Sequence, residues 1–130
     1  MTDHQLVIDH VHVISRDPAA AVSWYVDKLG GKIVNEVEVQ GAPQIFVELG
    51  GMAVAIRGHR TGEKVEDKKS LEWGTDHFGF RVDGDFEAYC DSLKANGVEF
   101  TVEPKVFTST TKIAFIQTPD GVLIEFLHRS

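Results

Sequence analysis

From Val7 to Ile14 apolar and polar side chains alternate with the two-residue period of a strand, and the period then lengthens to that of a helix. Asp17-Pro18 has the form of a helix start, a capping carboxylate followed by proline at the first helical position. Val22, Tyr25, Val26 and Leu29 recur on one helical face, and Gly30-Gly31 supplies the stop. Three strand-like stretches follow, over 32–39, 44–49 and 52–57. The same order then returns. A strand over 75–82 leads to a helix capped by Asp85, with Phe86, Tyr89, Cys90 and Leu93 on one face and Asn96-Gly97 at its end. Strands over 98–102, 111–117 and 122–128 complete the second set. The closing hairpins turn on Gly50-Gly51 and on Thr118-Pro119-Asp120-Gly121, both sound turn sequences. The pattern predicts two βαβββ modules in a single domain spanning 1–130, the first about 6–58 and the second about 75–129, with a polar, charge-rich linker about 59–74.

A helix covers only one face of a four-stranded sheet, so the other face needs a counterpart, from this chain or from a second copy. The expected fold is therefore α+β, with the paired modules forming a curved, partly closed mixed sheet around a cleft. Strand alternation places Ile8, His10, His12 and Ile14 on one face, His77, Gly79 and Arg81 on another, and Leu123, Glu125 and Leu127 on a third.

Composition narrows the function classes. The 42% hydrophobic and 25% charged content is that of an ordinary globular domain. A formal charge of −7 speaks against nucleic acid and against an anionic membrane, since both require a basic face. It is compatible with a small-molecule substrate, an anionic one included, which needs only one or two local cations. The single cysteine, Cys90, excludes an internal disulfide. No apolar run has the length of a membrane span, and the polar start lacks the features of a signal peptide, so the expected location is the cytoplasm.

The candidate chemistry lies in His10, His77 and Glu125. Taken singly, each histidine has a plain reading as a hydrogen-bonded core residue, and Glu125 as a carboxylate on a solvated edge strand. The repeat, however, puts His10 and His77 at equivalent places, a coincidence that unrelated packing roles do not explain. A carboxylate between Leu123 and Leu127 on a buried face would also be costly unless paired or bound to metal. Two imidazoles and one carboxylate hold a divalent first-row ion and leave positions open. His12, two residues beyond His10 and about 6–7 Å along the strand, is either an acid/base beside the metal or a packed histidine. Arg57 and Arg81 are candidates for binding a substrate carboxylate, and equally surface arginines at strand ends.

Several runs together resemble the vicinal oxygen chelate superfamily, which contains glyoxalase I, methylmalonyl-CoA epimerase, extradiol dioxygenases, fosfomycin resistance enzymes and bleomycin-binding proteins. They are Ile8-Asp9-His10-Val11, Leu29-Gly30-Gly31, Asp76-His77-Phe78-Gly79-Phe80-Arg81-Val82 and Thr118-Pro119-Asp120-Gly121-Val122-Leu123-Ile124-Glu125, the last being the most specific. The resemblance implies a metal cleft with ligands at His10, His77 and Glu125, and a substrate that chelates the ion through two neighbouring oxygens. Glyoxalase- and epimerase-like members carry a fourth ligand on the last strand of the first half. Aligning the closing hairpins puts Ala55 there, with Glu48 on the preceding strand as the nearest carboxylate. Three ligands resemble the facial triad of iron oxygenases. The expected activity is therefore that of an Fe(II)-type dioxygenase, with Mn2+, Ni2+, Co2+ or Zn2+ as alternative metals and His12 shuttling a proton. Extradiol members also carry a tyrosine about one strand before the glutamate, where this chain has Phe115 or its neighbours. The alternatives are a lyase or isomerase of glyoxalase or epimerase type, with His12 or Glu125 moving a proton, and a metal-free drug-sequestering protein. A homodimer is expected, because two modules leave sheet edges to cover.

Overall fold

The structure, a computed structural model, describes residues 4–130. The chain divides into two compact units, the first ending at Glu63 and the second beginning at Lys64. The first holds β1 (His10–Ile14), α1 (Pro18–Leu29), β2 (Lys32–Val39), β3 (Ala42–Leu49) and β4 (Met52–Arg57). The second holds β5 (Phe78–Arg81), α2 (Phe86–Ala95), β6 (Glu99–Thr108), β7 (Thr111–Gln117) and β8 (Leu123–Arg129). Each is a βαβββ module. Hydrogen bonding gives two four-stranded mixed sheets, ordered β1-β4-β3-β2 and β5-β8-β7-β6, neither of them closed. In each sheet the first strand runs parallel to the last, and the other pairs are antiparallel.

The helix boundaries follow from their caps. The Asp17 carboxylate accepts from the Ala20 N–H at 3.1 Å, and Asp85 accepts from Ala88 at 3.0 Å. Gly30 ends α1 in the left-handed region at φ 74°, with its N–H returned to Val26. Gly31 has a different reason to be glycine: a Cβ there would collide with the Val47 side chain. That contact shows which face of the first sheet meets α1. Val47 pairs with Val54, and Ile45 with Ile56, so these residues and Val13 form the core under the helix. In the second unit Tyr89 of α2 packs edge-on against Phe126 at 5.4 Å, above buried Ile116, Ile124 and Ala114. Burying each such large side chain contributes about 1.5–3 kcal/mol relative to exposure. Burial pushes the Cys90 thiol up to about 11, so it behaves as an apolar packing residue.

Several boundaries differ from the sequence pattern: β1 begins at His10 instead of Val7, and β3 at Ala42 instead of Gln44. β6 continues to Thr108 instead of stopping near Val102, with register shifts on both sides of Pro104. The strand lies at the sheet edge, where a proline and its missing N–H are tolerated. β5 is short, so His77 stands just before the strand instead of within it. Among the described residues no helix is long and apolar enough to cross a membrane.

Candidate functional site

The parallel registers align the two halves residue by residue. His10 pairs with Ala53 and His12 with Ala55 in the first unit; Gly79 pairs with Glu125 in the second. His77 lies two residues before Gly79, as His10 lies two before His12. His10 thus matches His77, His12 matches Gly79, and Ala55 matches Glu125. The hairpin alignment made from sequence has the same register. Glu48 pairs with Ala53, in the row of His10 and not of Ala55, and its side chain is exposed.

Small and large residues are exchanged between the two matching pairs. In the second unit Gly79 leaves room for the Glu125 side chain; in the first the imidazole of His12 stands beside the methyl of Ala55. A Cβ on Gly79 would lie 3.2 Å from the Glu125 carbonyl oxygen and 3.3 Å from its Cβ. Backbone cannot swing away as a side chain end can. Gly79→Ala is therefore expected to cost about 1–3 kcal/mol through overpacking, measured by urea denaturation.

Within the second unit His77 and Glu125 come together. Nε2 of His77 lies 3.1 Å from Oε1 of Glu125, and both side chains are partly buried. Nδ1 of His77 lies 2.8 Å from Oδ2 of Asp76. A carboxylate only accepts, so Nδ1 carries a proton there. A neutral His77 then turns the Nε2 lone pair toward a second acceptor. The arrangement is favourable only with a positive charge between them, either a second ring proton or a cation. The hydrogen bond to Asp76 is the largest cause of a raised His77 pKa; burial opposes it and Glu125 adds to it. Two ligands on neighbouring vertices at bond lengths of about 2.1 Å lie about 3 Å apart, the spacing of this pair, but among the described residues no group of three or more His, Cys, Asp or Glu side chains is placed to hold a metal ion. Phe115, directly across from Glu125 on β7, packs edge-on against the His77 ring at 4.7 Å. It supplies no hydroxyl.

His10 repeats half of this arrangement. Its Nδ1 lies 2.6 Å from Oδ2 of Asp9, and no other group among the described residues hydrogen-bonds to the ring. In both Asp-His pairs the preceding aspartate takes Nδ1, the kind of partner that orients an imidazole whose Nε2 binds elsewhere. Both dipeptides are visible in the sequence, and their repetition was the signal available for finding them.

His12 is held in the opposite sense. Its Nε2 accepts from the Nε–H of Arg57 at 3.0 Å. Arg57 is buried and also donates to the Gly58 carbonyl at 3.0 Å and to both carboxylate oxygens of Glu63, at 2.5 and 2.8 Å. Four of its five N–H donors are thereby engaged, which leaves little for a substrate carboxylate. Partial burial, then the charges of Arg57 and Arg60, lower the His12 pKa and favour the neutral ring. Arg81 is exposed and paired with Asp83 at 3.0 Å.

The Glu63 carboxyl is drawn down to about 2 from 4.5, first by the Arg57 hydrogen bond and then by the Arg60 N–H. A depressed folded-state value gives stability that is present above the unfolded value and lost as pH falls through the folded one. Thermal melts should show wild type more stable than Glu63→Gln at neutral pH, with the difference disappearing as pH falls from 4.5 to about 2.

Comparison with known proteins now decides the family. The Glyoxalase/Bleomycin resistance protein/Dioxygenase superfamily profile matches residues 7–126. The chain belongs to this superfamily. It is 30% identical over 118 residues to a lactoylglutathione lyase of Haemophilus influenzae, covering 82% of this chain and 81% of that relative. A superfamily domain from Frankia sp. superposes with a TM-score of 0.80 at 20% identity, covering 98% of this chain and 100% of the other. A glyoxalase I mutant from Zea mays superposes with a TM-score of 0.77 at 25% identity, over 95% of this chain and 44% of that one. The α+β βαβββ architecture is thus the superfamily fold.

Proposed function

We propose that the protein is a metal-dependent lyase or isomerase that transfers a proton next to a carbonyl group. His10, His77 and Glu125 are the proposed ligands of a divalent ion. The observation that carries this reading is the His77–Glu125 pair, two acceptor atoms 3.1 Å apart with Asp76 holding the other ring nitrogen. The donor set, nitrogen and carboxylate oxygen, suits Mn2+, Ni2+, Co2+ or Zn2+. Such an ion, when bound, would act as a Lewis acid on two neighbouring oxygens of the substrate.

The chain's own residues supply the proton chemistry. Glu125 removes the proton from the carbon beside the carbonyl and returns it to the neighbouring carbon; in the first unit, His12 carries its proton on Nδ1 as a hydrogen-bond donor. Similarity to lyases named for lactoylglutathione supports the class. The lactoyl group is a 2-hydroxyacyl group, with oxygens on adjacent carbons. Phe115 adds support, because it places no hydroxyl next to the carboxylate. A homodimer remains part of the proposal, with exposed Leu6, Val7, Ile8, Leu71 and Trp73 as its supporting observation.

Fe(II) dioxygenation is the second reading, and Ala55 is the observation that favours it, since three ligands leave more positions open than four. The experiment separates the two. Protein purified under argon is loaded with each metal in turn and given a thiol with a small 1,2-dicarbonyl, and 2-hydroxyacyl thioester is followed. Thioester formation without oxygen supports the lyase. No thioester with any metal, together with Fe(II)-dependent oxygen uptake on a catechol, replaces it with the dioxygenase.

A further inference from the structure

The three histidines discussed above are held in two different ways. His10 and His77 donate from Nδ1 to the preceding aspartates, which leaves Nε2 for another partner. For His12 the Nε2 lone pair is already used. An arginine cannot be deprotonated in a protein, so the Arg57 Nε–H must donate and His12 Nε2 must accept. The neutral ring then carries its proton on Nδ1, and no described group hydrogen-bonds to that atom. His12 cannot be a ligand through Nε2 and is not a base through it; it is a donor through Nδ1.

We propose that Arg57 and Glu63 are positioning residues that lock His12 as the Nδ1–H tautomer, so that the His12–Ala55 row of the first sheet offers a hydrogen-bond donor where the matching Gly79–Glu125 row of the second carries an acceptor. The brace is rigid. Glu63 takes the Arg57 fork with two oxygens and is itself fixed by the Arg60 N–H at 2.8 Å, while Gly58 takes a further Arg57 hydrogen. The exchange of His12/Ala55 for Gly79/Glu125 makes the room for it. The brace leaves His12 Nδ1–H as a donor toward an oxygen of a ligand. It rests on the proposed lyase in one respect only, that this oxygen belongs to the substrate.

The test is long-range proton–nitrogen NMR of protein labelled with 15N-histidine, with His12 assigned from the signals lost in His12→Gln. Wild type should show a protonated Nδ1 and an unprotonated Nε2. Arg57→Lys keeps a positive charge but loses the flat fork, and His12 should relax to a tautomer mixture. If that variant does not fold, Glu63→Gln loosens the same brace and carries the same readout. A protonated His12 Nε2 in wild type, or an unaltered tautomer in the folded variant, overturns the proposal. Turnover tests the second half. Arg57→Lys should lower kcat about tenfold or more with little change in KM, and should have no further effect in the His12→Gln background. An equal additional loss there would mean that Arg57 is structural and would overturn its positioning role. If His12→Gln leaves turnover intact while the tautomer is as stated, the brace stands and His12 leaves the proposed reaction.

Discussion

His77→Ala is expected to leave the protein without bound metal under conditions in which wild type holds one ion per site. The substitution removes the Nε2 donor that faces Glu125 and cuts Asp76 off from the ligand it orients. Losing an outer partner alone weakens a metal site by about 10–100-fold, so losing the ligand itself should exceed about a hundredfold. Asp76→Asn serves as the intermediate case, because the ring stays and only its orientation and basicity change. Equilibrium dialysis against a competing chelator, with elemental analysis of the retained protein, measures both. The two variants should fall in that order, and an ion held as tightly by His77→Ala as by wild type would remove these residues from any metal role. Far-ultraviolet circular dichroism separates metal loss from unfolding. His77 lies outside β5, so little sheet structure depends on it.

Glu125→Gln should reduce turnover by about 10²–10⁴-fold at saturating metal, the range ascribed to a lost general base. The amide has the carboxylate's shape, so the fit between Gly79 and Phe115 survives. What disappears is the negative charge and the ability to accept a proton from carbon. Metal affinity should also fall, since an amide oxygen is a poorer donor than a carboxylate, and saturation must therefore be shown for each variant. Exchange of the substrate's carbon-bound hydrogen with deuterated solvent gives a direct view of the step. Wild type should wash the label in or out, and Glu125→Gln should not. Exchange at the wild-type rate in the variant would assign the base elsewhere.

The strands and helices were readable because their signals are local. The Asp17-Pro18 start and Gly30-Gly31 stop lie within the helix they bound, and the structure places α1 at Pro18–Leu29. β2, β4 and β7 begin and end where the alternating pattern does. The match of Ala55 to Glu125 was legible for a related reason. Each hairpin turn sets the pairing that follows it, and counting from the turn gives the register. β6 was read only to Val102, whereas the edge strand passes through Pro104 to Thr108.

The residue types at the candidate site were on view in the chain, and so was the Asp-His repeat. Their hydrogen-bond states were not. His12 and Arg57 are separated by 45 residues, and they meet because β1 lies parallel to β4 with Ile14 opposite Arg57. Arg57 looked available to a substrate until the chain after β4 was seen to bring Glu63 onto its guanidinium. Local order along the polypeptide is written in periodicity and caps, which short-range sterics and backbone hydrogen bonding enforce. Which nitrogen of an imidazole holds its proton depends on what long-range pairing puts beside it, and no stretch of neighbouring letters encodes that.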